Sequence, residues 1–517
     1  MKAEFGPYLS RVLPSVLSMA ALNPEMGISG QDALAELTDV LKEVTPASAT
    51  AGEGKTMNVM TDEIEEKDVA IQMLAVFIDE VPEVVYEYLE PISKILLSLT
   101  SYAANDSIRS SSCSSLPGLM KAAKARGMDI AQLHIMAKAF NTNLYEAMKQ
   151  EVDTDTMIVQ VQSFKDVIDE AGQGLLTGEE VAHLGDKAVD IVSKSLERIQ
   201  QNNAINNDEA EDEDDVLDAD DMALIKEENS NEFDLQIAAA ELMGTLFKTH
   251  REHVSGLVQR LRNEIIPECF ASQEQKRYKF ALFILDDMVE HLGPSYFSAE
   301  DFQSIVSAIC GFCSHTSASL RQASAYGIGV IAQNAGDAFQ TCSDLCLTSL
   351  RSSIEFAVTP KIQGKKEKMT MYHHARDNAI ASIGKVIKFQ NAIVQSNPNY
   401  STSLVTYWLG LLPITHDIEE AIAQFEFLSD FLAEQPAFIL GADPAAVAQQ
   451  LAKIFGEGFQ EKYTGDMKPE AKIKIANAVR YLIGGAPQPV PEAFKSACEN
   501  VLTADARTNI EAAFNFQ

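Results

Sequence analysis

Several short stretches carry residue types that could do chemistry at the spacing they occupy. Ala49-Thr50-Ala51-Gly52-Glu53-Gly54-Lys55-Thr56 is a relaxed phosphate-binding loop, with Ala49 in place of the first glycine. Such a loop works when backbone N–H groups and a lysine cradle phosphates at a strand-to-helix turn. Leu74 to Glu80 and Phe280 to Asp287 resemble the apolar, acid-terminated strands that accompany it. Gly327-Ile328-Gly329-Val330-Ile331-Ala332 fits a dinucleotide fingerprint, which needs a strand before it and a helix after it. Cys310-x-x-Cys313 and Cys342-x3-Cys346 have the look of a four-thiolate zinc set.

The elements around these motifs oppose each of those readings. Val44-Thr45-Pro46-Ala47-Ser48 is a poor buried strand. Leu320 to Tyr326 runs into the glycines as helix, where small residues instead let neighbouring helices approach closely. Both cysteine pairs fall on amphipathic helices, where cysteine packs as a small apolar side chain. His250-Arg251-Glu252-His253 has the wrong spacing for a zinc-protease helix, and His373-His374 lacks partners. No nucleophile has a placed base. The expectation is a protein that is not an enzyme, with no cofactor and no metal.

What remains is charge. The 517 residues include 75 acidic and 41 basic, a net charge of −34. Nucleic acid is held by basic residues that displace counterions, so DNA and RNA are poor partners, as are anionic membranes. The charge is concentrated between Asp208 and Glu228, where 12 acids and one lysine give −11. Asp208, Glu209, Glu211, Asp212, Glu213, Asp214, Asp215, Asp218, Asp220 and Asp221 are the candidate partner-binding residues, an anionic arm for a basic partner. A solvated loop that keeps the chain soluble is the competing reading. Lys361, Lys365, Lys366 and Lys368 form a smaller basic loop.

The scaffold is legible as a repeat. Helix-like segments end in a polar cluster and then Gly or Pro, at positions 82, 127, 172, 293 and 336. A helix over Phe233 to Lys248 stops near His250 without a glycine and divides the one long gap. Each stop leads into a second amphipathic segment. Two helices every 40–47 residues is the HEAT or armadillo period. The fold expected is all-α: one α-solenoid, a superhelix of about nine or ten HEAT-type pairs over 1–517, each packing on its neighbours. Inserted loops are expected at 23–62, 202–231 (acidic) and 359–374 (basic). Phe5 to Ala20 reads as a second helix lacking its first, so the chain is expected to be part of a longer array. Leu9, Val12, Leu13, Val16, Leu17 and Ala20 form a helical stripe rather than a signal peptide. No apolar run approaches the roughly 20 residues of a membrane span. Seven sparse cysteines favour a reducing compartment.

Several segments resemble the importin-β (karyopherin-β) superfamily of nuclear transport receptors, within it the importin-five type. They are Glu66 to Leu74, Asp286 to His291, Leu320 to Gln333, Ser382 to Phe389, and Trp408 to Pro413 followed by Glu419-Glu420-Ala421. They occur in order over nearly the whole chain. The resemblance implies a carrier of basic nuclear-localisation-signal cargo that contacts Phe-Gly nucleoporins, is regulated by Ran-GTP, and moves between cytoplasm and nucleus through the nuclear pore. Family members are roughly twice as long, and their main Ran surface lies in N-terminal repeats that have no counterpart here. This chain would correspond to the C-terminal portion. A HEAT scaffold organising an enzyme or ribosome-assembly complex is the alternative.

Overall fold

The computed structural model describes residues 2–22, 54–208, 219–360, 362–396 and 401–513, with no strand among them. The chain divides into two compact units, Met1–Leu261 and Arg262–Gln517, each taken by itself.

In the first unit, α1 (Lys2–Ala20) precedes the helix pairs α2 (Gly54–Glu80) with α3 (Leu89–Leu99), α4 (Asp106–Ala125) with α5 (Ile130–Gln150), and α6 (Thr154–Ala171) with α7 (Gly178–Asp208). The long α8 (Ala219–Thr249) and short α9 (Ser255–Arg260) follow. First helices stack on first helices: α2 on α4, α4 on α6, α6 on α8. Their apolar stripes therefore merge into one core, with Leu74, Leu116, Leu119, Phe164, Val167, Leu242 and Leu246 buried. Leu9, Leu13, Val16 and Ala20 of α1 are buried as well, and α1 packs on α2 and α3. Lys67 of α2 is fully buried there; its ammonium donates to the Ala20 and Leu22 carbonyls at 2.6 and 2.8 Å and so caps α1.

The second unit repeats the scheme. The short α10 (Ile266–Ala271) packs on α11 (Gln275–Asp287), which is followed by α12 (Ala299–Cys310). Then come α13 (Ala318–Asn334), α14 (Ser343–Ile354), α15 (Lys366–Phe389), α16 (Asn391–Ser396) and α17 (Ser401–Leu411). The series ends with α18 (Ile418–Glu434), α19 (Pro444–Gly458), α20 (Pro469–Arg480), α21 (Val490–Asn500) and α22 (Ala504–Ala513). The stack runs α11, α13, α15, α18, α20.

The expected stops are present. Gly127, Gly172, Gly293 and Gly336 follow their helices with φ of 79°, 74°, 69° and 51°, which costs glycine little. Gly172 N–H also donates to the Ile168 carbonyl at 2.9 Å. The expected insertions need correction at their edges. Helix begins at Gly54 inside 23–62, fills 202–208 and 219–231, and covers 366–374. Those stretches lack an apolar stripe, but Glu, Lys, Met and Ala favour helix without one.

Candidate peptide-binding groove

The first helices pack tightly, but the second helices α5 and α7 scarcely touch. α5 turns its apolar stripe to α6 through Leu133, Phe140 and Leu144, and α7 turns its own to α8 through Val181, Val189 and Val192. Asp129 caps α5 by accepting from the Ala131 and Gln132 N–H groups at 2.9 and 3.1 Å. The gap between the two helices is a cavity of about 360 Å³. Tyr145 and Met148 form one wall, Leu184 and Ile191 the other, and Met157 and Phe164 contribute to the floor. It continues into a second space of about 250 Å³ beside Leu175 and His183. Tyr145 Oη lies 3.1 Å from His183 Nε2, and Lys138 faces Glu180 at 3.8 Å, so polar contacts bridge the walls.

At its other end the groove meets a polar pocket of about 380 Å³ containing Asp153, Asp155, Glu228 and Glu232. Three of these acids are engaged. Arg198 grips Glu232 through two bonds of 2.5 and 2.8 Å, and Asp153 accepts the Thr156 N–H at 2.8 Å. Glu228 accepts from the Asn202 amide at 3.2 Å. Asp155 is exposed. Its carboxyl is held above the usual range by partial burial first, then by the neighbouring charges of Asp153, Glu227 and Asp234. A cation entering this pocket would relieve that repulsion.

The pocket sits at the root of the acidic arm. Asn229 accepts from Asn202 and donates to Asn203, each at 3.1 Å, pinning the end of α7 to the start of α8. Of the sequence-predicted site residues, Asp208 ends α7, and Asp220 and Asp221 open α8. Glu209, Glu211, Asp212, Glu213, Asp214, Asp215 and Asp218 lie outside the described residues. Sequence reasoning missed the groove and Asp155. Asp153 and Asp155 flank a helix start, an ordinary capping pattern that gives no hint of Glu227 and Asp234 arriving from α8.

The other motifs resolve structurally. Gly54 and Lys55 open α2, Ala49 to Glu53 lie outside the described residues, and Leu74 to Glu80 and Phe280 to Asp287 run as helix rather than strand. Gly327 lies within α13, where a side chain would put its Cβ 2.1 Å from Asp286 Oδ1; the glycine is a packing notch. Asp286 is buried with neither carboxylate oxygen hydrogen-bonded, and burial pushes its carboxyl well up. Cys310 and Cys346 approach to 4.0 Å, but Cys313 turns to Ser324 at 3.0 Å, and all seven cysteines are free thiols. Among the described residues, the group whose ligand atoms do converge, within 4.8 Å, is Asp287, Glu290 and His291, one turn of surface helix. Lys365, Lys366 and Lys368 are exposed around the start of α15, and Lys361 lies outside the described residues. Among the described residues no helix is long and apolar enough to cross a membrane.

No family profile matches the sequence. Individual proteins do. Importin subunit beta-3 of Saccharomyces cerevisiae is 21% identical over 499 residues, 94% of this chain and 41% of that protein. A probable importin-5 homolog of Dictyostelium discoideum is 22% identical over 367 residues, 69% of this chain and 32% of that protein. Among solved structures, karyopherin Kap121p bound to RanGTP aligns over 99% of this chain and 43% of that one, with TM-score 0.66 and 18% identity. The same karyopherin bound to Nup53p aligns over 99% of this chain and 41% of that one, with TM-score 0.59 and 18% identity. The chain thus spans about two fifths of the length of importin subunit beta-3. Its relatives are importin-β family proteins, and its fold is that of the karyopherin HEAT solenoids.

Proposed function

We propose that this chain is the HEAT-repeat part of a nuclear import receptor, one continuous array that carries basic cargo through the nuclear pore. The ordered match to importin subunit beta-3 over 94% of the chain is the observation that carries this reading. The basic signal of the cargo is drawn to the acidic arm, Asp208 to Asp221, and to the pocket at its root, where Asp155 supplies uncompensated charge. Phe-Gly nucleoporins and GTP-bound Ran are the other partners, in keeping with the RanGTP and Nup53p complexes of the structural relative. The protein acts by binding rather than catalysis, and moves between cytoplasm and nucleus.

The test is a pull-down with an immobilised basic import-signal peptide at low and high salt, repeated with a Phe-Gly repeat segment. Retention on both, with peptide binding weakened by salt, is expected, because exposed charge pairs are screened within about 8–10 Å at physiological ionic strength. Absence of binding at low salt, or binding indifferent to salt, contradicts the reading.

A further inference from the structure

Three thiols of the second unit form a chain. Cys310 ends α12, Cys342 caps the start of α14, and Cys346 lies one turn into α14. All three are buried. The Cys310 thiol donates to Cys346 Sγ at 4.0 Å. Cys346 donates in turn to Cys342, whose own thiol points to the Phe339 carbonyl at 3.4 Å. That bond from Cys346 is the first cause holding the Cys342 thiol below its ordinary value of 9.0. A thiol so placed yields its reactive thiolate more readily. Burial instead pushes Cys313 up to about 12 and Cys498, the most exposed of the seven cysteines, up to about 11.

We propose that these three cysteines are a peroxide-responsive modification site, in which oxidation at Cys342 ends as a reversible disulfide between Cys310 and Cys346 that joins α12 to α14. The Cys342 thiolate attacks hydrogen peroxide, breaks its O–O bond and becomes a sulfenic acid, and the departing hydroxide leaves as water. Cys346 then attacks the Cys342 sulfur. The sulfenic oxygen takes the Cys346 proton and leaves as a second water, so two thiols are oxidised as one peroxide is reduced. Cys310 next attacks the Cys346 sulfur, and Cys342, the better leaving group, departs and takes up the Cys310 proton. The new bond ties two helices that pack on each other in adjacent repeats. Repeats of a solenoid touch only their neighbours, so it fixes one joint of the array. The site goes beyond the import reading and does not depend on it.

Peptide mapping under non-reducing conditions, on the full chain treated with stoichiometric hydrogen peroxide at neutral pH, tests it. A cross-link between Cys310 and Cys346 that dithiothreitol reverses is expected, with Cys498 still a thiol. Cys342→Ser keeps a residue favoured at a helix start and is expected to slow the cross-link at least about tenfold. Cys310→Ala is expected to leave the oxidation at a disulfide between Cys342 and Cys346. Cys346→Ala is expected to accumulate the Cys342 sulfenic acid, which dimedone traps. Circular dichroism verifies folding, and the wild-type map decides alone if a variant fails to fold. No cross-link, oxidation of Cys498 ahead of the three, or an unchanged rate in Cys342→Ser overturns the proposal. Failure of import-signal binding leaves it standing, so the two readings fail separately.

Discussion

Nε2 of His250 accepts a hydrogen bond from the backbone N–H of Leu176 at 3.1 Å. Accepting there fixes the proton on Nδ1, which donates to Thr249 Oγ1 at 2.7 Å; that hydroxyl donates to the Thr245 carbonyl at 2.7 Å. The imidazole is 2% exposed. A neutral ring thus ties the end of α8 to the turn between α6 and α7, one wall of the candidate groove.

His250 therefore makes the first unit acid-sensitive. Burial, then His253, lowers its affinity for a proton below the ordinary value of 6.5. The unfolded chain binds the proton more readily, so stability is lost as pH falls below about 6.5. Protonation also removes the acceptor for Leu176. Thermal melts from pH 7.5 to 5 are expected to show a falling Tm that is shallower in His250→Gln. Replacement by Ala is expected to cost about 1–3 kcal/mol, the penalty of an orphaned buried donor. Equal slopes in the wild type and the Gln variant would count against this role.

Gly327→Ala is expected to destabilise the second unit by about 1–3 kcal/mol, since the new methyl meets Asp286 at 2.1 Å and Ile309 at 2.9 Å. Gly256→Ala, with nothing within 4 Å of its added carbon, is the matched control and is expected to be neutral or stabilising. Chemical denaturation of the two variants checks both. A stable Gly327→Ala protein would remove the packing account of the glycine pair.

Lys67→Met is expected to release α1 while leaving the stack intact. The ammonium satisfies two carbonyls at the end of that helix, and methionine fills similar volume without donors. Hydrogen exchange over residues 8–20 is expected to accelerate, with little change over α4 to α6. Uniform acceleration across the unit would show that Lys67 supports the core rather than one helix.

The repeat was readable because its punctuation is chemical: glycines at 127, 172, 293 and 336 stop helices through positive φ. The stop at His250 was visible only as the end of an apolar stripe, because its cause is a hydrogen bond across 74 residues. The acidic stretch was legible as charge, but not its helical flanks, since Asn202 and Asn229 meet only in the folded hairpin. The groove was not legible at all. Its lysines and apolar floor come from α5 to α8, and no periodicity in one helix announces what an adjacent one leaves uncovered.

Asp155→Asn is expected to stabilise the first unit slightly at neutral pH. A carboxyl whose proton affinity is raised in the folded state favours folding at low pH and loses that contribution as pH rises above the unfolded value near 3.8. Removing the charge removes the loss. Melts of the two proteins at pH 7 and pH 4 are expected to differ at the higher pH and converge at the lower. A difference that is larger at pH 4 contradicts it.

The most direct measurement is the affinity of a basic import-signal peptide for the whole chain and for its Asp155→Lys variant across a salt series. Binding to the wild type is expected to weaken with salt, and the variant's affinity to be lower by about tenfold at low salt, with the two converging as salt screens the pocket. Identical affinities and identical salt slopes would contradict it.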